Sequence, residues 1–159
     1  MVALETVHAD TTFRIFSSRN IQVNVWKDAP RPEHMREFRR IGAVHNRRHP
    51  QGSCLINMIL SGTPSFSSEV RDETIKLMKE TSTFRLGAAH VVLVGGLSGT
   101  SVRAFLSTVM LLGRPPLPNK VFGDMNSAAG WLAPRLAESA EVWSPAALVA
   151  LMQEVKASA

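Results

Sequence analysis

A single cysteine, Cys54, leaves this chain nothing to pair with, so an internal disulfide framework is excluded. One thiol inside an apolar run fits a reducing compartment, and a cytoplasmic protein is expected. Its ordinary role is that of a small buried hydrophobe. No apolar stretch approaches the roughly 20 residues that a membrane span needs. The start, MVALETVHADTT, has no basic segment followed by an apolar block, so no secretory signal is expected. Paired carboxylates in an apolar setting, which general acid–base chemistry wants, are missing as well. No histidine follows Ser98. The near-miss nucleophile elbow at Gly96-Leu97-Ser98-Gly99-Thr100 therefore cannot be completed in the order Ser…Asp…His. An enzyme is the least expected reading, with no catalytic set and no cofactor.

What remains is material for one domain. The 159 residues are 45% hydrophobic and 19% charged, the balance of a globular chain and not of a disordered one. The dominant stretch is 88–113. His90-Val-Val-Leu-Val94 is a short apolar run rich in β-branched residues and reads as a strand buried on both faces. Gly95-Gly-Leu-Ser-Gly99 breaks the pattern. A helix follows, with Val102, Phe105, Leu106, Val109 and Gly113 on one face. Gly113 and Pro115-Pro116 stop it.

The other elements follow in order. Residues 1–10 read as a flexible tail. Thr12–Phe16 and Ile21–Trp26 alternate with period two around a four-residue loop, Ser17–Asn20, as a hairpin at the antiparallel edge of a mixed sheet. Pro32 suits the first turn of a helix reaching about Arg48. Its inward set is Met35, Phe38, Ile41 or Gly42, and Val44 or His45. Cys54–Leu60 is a second central strand. A helix over about Ser68–Thr81 turns Val70, Thr74, Leu77 and Met78 inward. Lys120–Phe122 is a short strand, and Asp124 caps a helix that Pro134 should kink or end. Ser144-Pro145 opens an amphipathic C-terminal helix within 141–159, which packs on the domain or on a partner. The expected fold is a single α/β domain over 11–140 plus that helix. Its mostly parallel mixed sheet has about five strands, covered by about five helices.

Positive charge is concentrated. Between Arg31 and His49 stand six arginines and three histidines against two acids. Arg36, Arg39, Arg40, Arg47 and Arg48 form a basic patch, read as a solvated helix face or as a surface for an acidic protein, nucleic acid or an anionic membrane. Gly96, Ser98, Gly99 and Thr100, with Arg103, form a candidate anion-binding turn at a helix start. The turn lacks both the G-x-G-x-x-G spacing and the lysine of a Walker loop. His45 and His49 have metal-ligand spacing without the glutamate of H-E-x-x-H, and no metal site is expected. His90 reads as a hydrogen-bonded core residue. Trp26, Trp131 and Trp143 read as core or interface anchors.

The hairpin start, the covering helices and above all Val121-Phe-Gly-Asp124-Met-Asn-Ser-Ala128-Ala-Gly-Trp131-Leu132 resemble the closing strand and helix of STAS-like proteins, the small domains typified by bacterial anti-sigma-factor antagonists. The resemblance implies a non-enzymatic regulatory or protein-interaction module with a phosphorylatable serine after the central strand; a homodimer or other self-associating form is expected from the apolar surround of Val102–Leu112 and from the C-terminal helix. Here that place reads Leu60-Ser61-Gly62-Thr63-Pro64, so Ser61 and Thr63 are the candidate phosphosites, without the family's preceding acid and paired serine. The fold also underlies lipid-transfer domains of the Sec14 kind. Binding of an anionic or lipid-like small ligand is accordingly the alternative. The apolar surround of Val102–Leu112, including Met110, Leu111 and Leu112, fits deep burial or contact with another subunit.

Overall fold

Six strands stand in one sheet in the order in which the chain makes them: β1 (Glu5–Ala9), β2 (Phe13–Ser18), β3 (Ile21–Trp26), β4 (Cys54–Ile59), β5 (Gly87–Val92) and β6 (Asn119–Phe122). The computed structural model describes residues 3–62, 66–79 and 84–159. β1, β2 and β3 pair antiparallel, and β3 to β6 run parallel. Among the described residues five helices complete the α/β domain: α1 (Pro32–Arg48), α2 (Ser68–Lys79), α3 (Gly96–Gly113), α4 (Met125–Leu136) and α5 (Pro145–Ser158). The two apolar ribbons of the sequence, β4 and β5, are parallel neighbours, with Cys54 opposite Gly87 and Ile59 opposite Val92.

Because the strands follow one another across the sheet, right-handed crossovers put α1, α2 and α3 on the same face. On that face Met35, Ile41, Val70, Val102 and Leu106 pack with Phe13, Ile15, Trp26, Ile59 and Val92. The opposite face carries Val23, Val25, Cys54, Ile56, Met58, Ala89 and Val91 under Ala128, Leu132 and Leu136 of α4 and Leu148, Leu151, Met152 and Val155 of α5. Local chemistry sets the helix starts. Asp124 Oδ1 accepts from the Ser127 N–H at 2.7 Å, and Ser144 Oγ accepts from the Ala147 N–H at 3.1 Å. Pro32 and Pro145 sit in first turns, where a missing N–H costs nothing.

Several expectations are corrected. The sheet has six strands, not five, because Glu5–Ala9 of the expected tail pairs with β2. That strand has no apolar run, and its attachment is largely backbone pairing. β1 takes the edge, so the β2–β3 hairpin lies inside the sheet and all six residues of β3 are buried. The hairpin loop is the two residues Arg19-Asn20, with Arg19 in the left-handed region at φ 49°. α3 begins at Gly96, so the expected glycine turn forms its first turn. α4 runs two residues past Pro134.

Candidate functional site

β3, β4 and β5 do not present a uniformly apolar face to α1–α3. Alternation places Gln22, Asn24 and Trp26, then Leu55, Asn57 and Ile59, then Ala88, His90 and Val92 on that side. The register aligns Asn24 with Asn57 and Asn57 with His90, so three polar residues lie abreast at the middle of the sheet. All are buried or nearly so: Asn24 is 0% exposed and His90 5%.

Asn57 and His90 belong to a directed chain of hydrogen bonds. The Trp26 indole N–H donates to Asn57 Oδ1 at 2.7 Å. Asn57 Nδ2 donates to His90 Nδ1 at 3.1 Å, and His90 Nε2–H donates to Asn119 Oδ1 at 3.1 Å. Asn119 Nδ2 ends the chain on the Leu117 carbonyl at 3.2 Å. Donor and acceptor roles therefore fix the imidazole as the neutral Nε2–H tautomer. Burial pushes the His90 pKa below the ordinary histidine value, against a smaller opposing effect of the Asn119 hydrogen bond. With both ring nitrogens engaged, His90 has no lone pair left for a substrate proton.

Above this polar row the helices do not close down. β5 contributes only Ala88 at the level of Leu55, and α2 packs chiefly on α1 and α3. A cavity of about 130 Å³ is left between sheet and helices. Asn24, Asn57, His90 and Asn119 form its floor; Met35, Phe38, Leu77, Met78, Val102 and Leu106 form its walls. At one end Phe66 stacks on Phe105, with ring centroids 3.8 Å apart and planes within 8°. Thr74 spends its hydroxyl on the Val70 carbonyl at 2.7 Å, leaving the wall without a free donor there. Asp28, exposed at the rim, is the only charged residue among the described lining residues. Asn24 differs from its neighbours. Its Oδ1 accepts from Gln22 Nε2 at 3.0 Å, but its buried Nδ2 has no partner.

Of the described residues singled out as binding candidates in the sequence, only Ser61 lines this cavity. Ser61 is exposed at the rim and donates to the Lys27 carbonyl at 2.8 Å; Thr63 lies outside the described residues. In the glycine turn, Thr100 Oγ1 donates back to the Gly96 carbonyl at 3.2 Å. Gly99 is a packing residue, since a Cβ there would stand 2.2 Å from the Val94 carbonyl oxygen. Arg103 is exposed, with its guanidinium over Gly99 and Gly123. On α1, Arg40 makes a two-pronged contact with Glu37 at 2.7 and 3.0 Å, and Arg39 reaches Glu73 at 3.4 Å. Arg36, Arg47 and Arg48 are exposed. The basic patch is thus partly matched by acids on its own and the adjacent helix. His45 and His49 have ring centroids 4.7 Å apart, and among the described residues no group of three His, Cys, Asp or Glu side chains could hold a metal.

The polar floor is not evident in the sequence, where of its members only His90 reads as a hydrogen-bonded core residue. The available signal was Asn57 within Cys54–Ile59 and Asn24 within Ile21–Trp26, amides where a buried strand wants hydrocarbon. Among the described residues no helix is long and apolar enough to cross a membrane. Compared with protein-family models, curated proteins and solved structures, the chain finds no match.

Proposed function

We propose that this protein is a non-enzymatic binding module that holds a small, mostly apolar molecule between its sheet and helices α1–α3. The observation that carries the reading is the cavity itself: hydrocarbon walls over a hydrogen-bonded floor of Asn24, Asn57, His90 and Asn119. An interior that packs to ordinary density leaves few voids larger than a water molecule. A dry cavity of about 150 Å³ accommodates a benzene-sized molecule. Convergent polar groups in an apolar pocket are the usual make-up of a small-molecule site. The saturated hydrogen bonding of His90 speaks against general-base chemistry at the floor.

Titration with toluene tests this. Toluene should raise the thermal midpoint and shift the methyl resonances of Met78, Val102 and Leu106. Ala88→Leu, which fills the floor beside Leu55, should abolish both effects while leaving the fold intact. Unmoved methyl resonances at saturating toluene would refute the reading.

A second reading, a STAS-like interaction module that self-associates, is favoured by one observation. Leu97, Leu111 and Leu112 on the outer side of α3 are 88%, 73% and 49% exposed. Isolated exposed leucines such as Leu97, at the far end of the helix, are ordinary, whereas the adjacent Leu111 and Leu112 suit a partner surface. Sedimentation of the wild type against a Leu111→Glu/Leu112→Glu variant decides it, a shift from dimer to monomer being the supporting result.

A further inference from the structure

The floor of the cavity is polar but carries no positive charge, and one of its donors is unanswered. Asn24 is wholly buried, its carbonyl end is taken by Gln22 Nε2, and among the described residues its Nδ2 has no hydrogen-bond partner; Gln22 Oε1 beside it is likewise buried and unpaired. A buried amide N–H left unpaired costs about 1–3 kcal/mol. Its neighbour Asn57 does not relieve it: Asn57 Oδ1 accepts from Trp26, Asn57 Nδ2 donates to His90, and Asn24 Nδ2 makes no bond to either. The walls offer nothing either: Thr74 is turned back on its own helix, and the remaining wall side chains are hydrocarbon, thioether or aromatic.

We propose that the cavity recognises compact neutral molecules bearing a hydrogen-bond acceptor, such as a ketone, aldehyde, ester or ether oxygen on an apolar body, with Asn24 Nδ2 as the recognising donor. This deepens the binding-module reading and rests on it. The body would lie against Met35, Met78 and Leu106, and the acceptor oxygen would point to the row on β3 and β4. Acids are disfavoured. Among the described lining residues there is no lysine or arginine to match a carboxylate or phosphate, the floor histidine is neutral, and Asp28 at the rim repels anions. The anionic ligand expected from the basic helix and the glycine turn is thereby set aside for this site.

Acetophenone, ethylbenzene and benzoate separate the cases. Acetophenone and ethylbenzene have nearly the same shape, and only the first carries an acceptor. Their affinities, measured by calorimetry on the wild type and on Asn24→Leu, form a cycle in which the solvation of the free probes cancels. The ratio of the two affinities should shift against acetophenone by about tenfold in the variant. On the wild type alone, the Asn24 side-chain amide proton should move downfield with acetophenone and not with ethylbenzene, which decides the matter even if the variant does not fold. Benzoate should bind more weakly than either. An unchanged ratio, or an unmoved Asn24 amide while both probes shift Leu106 and Met78, would overturn the acceptor rule and leave the binding module standing. Tighter binding of benzoate would overturn the preference for neutral molecules. Failure of both neutral probes to perturb the cavity would overturn the underlying reading and this inference with it.

Discussion

Asn57 and His90 occupy the same level of two adjacent parallel strands, and Asn57 Nδ2 donates to His90 Nδ1 over 3.1 Å. The pair ties the indole of Trp26 on one side to Asn119 on the other, so four side chains from four strands share one line of hydrogen bonds.

Asn57→Leu breaks that line at its centre. It keeps the volume but orphans both the Trp26 indole N–H and His90 Nδ1. Two buried groups left unpaired should cost roughly 2–5 kcal/mol. Urea unfolding of the variant measures the loss; a change below about 1 kcal/mol would mean that the chain of hydrogen bonds does not form.

Glycines on two helices should respond oppositely to alanine. Gly99→Ala drives a methyl to within 2.2 Å of the Val94 carbonyl oxygen, so the start of α3 must move, at a cost of about 1–3 kcal/mol. Gly130→Ala, exposed in mid-α4 with open space at its Cβ, should gain about 0.5–1 kcal/mol from helix propensity. Thermal midpoints of the two variants should therefore move in opposite directions.

Acid should destabilise the fold through His45. Burial, with the nearby His49 and Arg48 adding to it, lowers its pKa to about 4, and among the described residues its buried Nε2 has no partner. The folded protein then binds this proton less readily than the unfolded chain does. Stability is complete above about pH 6.5 and falls as pH drops toward 4, by an amount on the order of 3 kcal/mol. His34, His49 and His90, also lowered, act in the same direction. Denaturant midpoints from pH 7.5 to 4 should show a steep decline that is shallower in His45→Gln. An identical profile in the variant would remove His45 as the cause.

Cys54 should be silent toward thiol reagents. It is 0% exposed at the head of β4, and burial pushes its thiol up to about 12. Ellman's reagent should label it only under unfolding conditions. Rapid stoichiometric labelling of the native protein would displace β4 from the interior.

Much of this architecture is legible in the residues. Two runs of β-branched and apolar side chains announce β4 and β5, and Asp124, Ser144, Pro32 and Pro145 announce the helix starts, because those signals are local. β1 is not legible, since Glu5-Thr-Val-His-Ala9 shows no clear apolar alternation and is held as a strand by pairing with β2. The start of α3 is obscured by Gly95, Gly96 and Gly99, which read as a turn; of the three, Gly99 serves a close approach of helix to strand, while Gly96 takes a positive φ of 64°. The cavity floor is hidden for a deeper reason. Asn24, Asn57 and His90 are 33 residues apart at each step, and only the parallel register makes them neighbours. His90 alone was readable as a hydrogen-bonded core residue. That its partners floor a cavity follows from Ala88 beside them and from helices that lean on one another.

Xenon gives the most direct test of that cavity. A crystal pressurised with the gas should show a xenon atom bounded by Asn57, Ala88, Met78 and Leu106. Continuous side-chain density there, with α2 and α3 packed down on β4 and β5 and no xenon between them, would contradict the existence of the site.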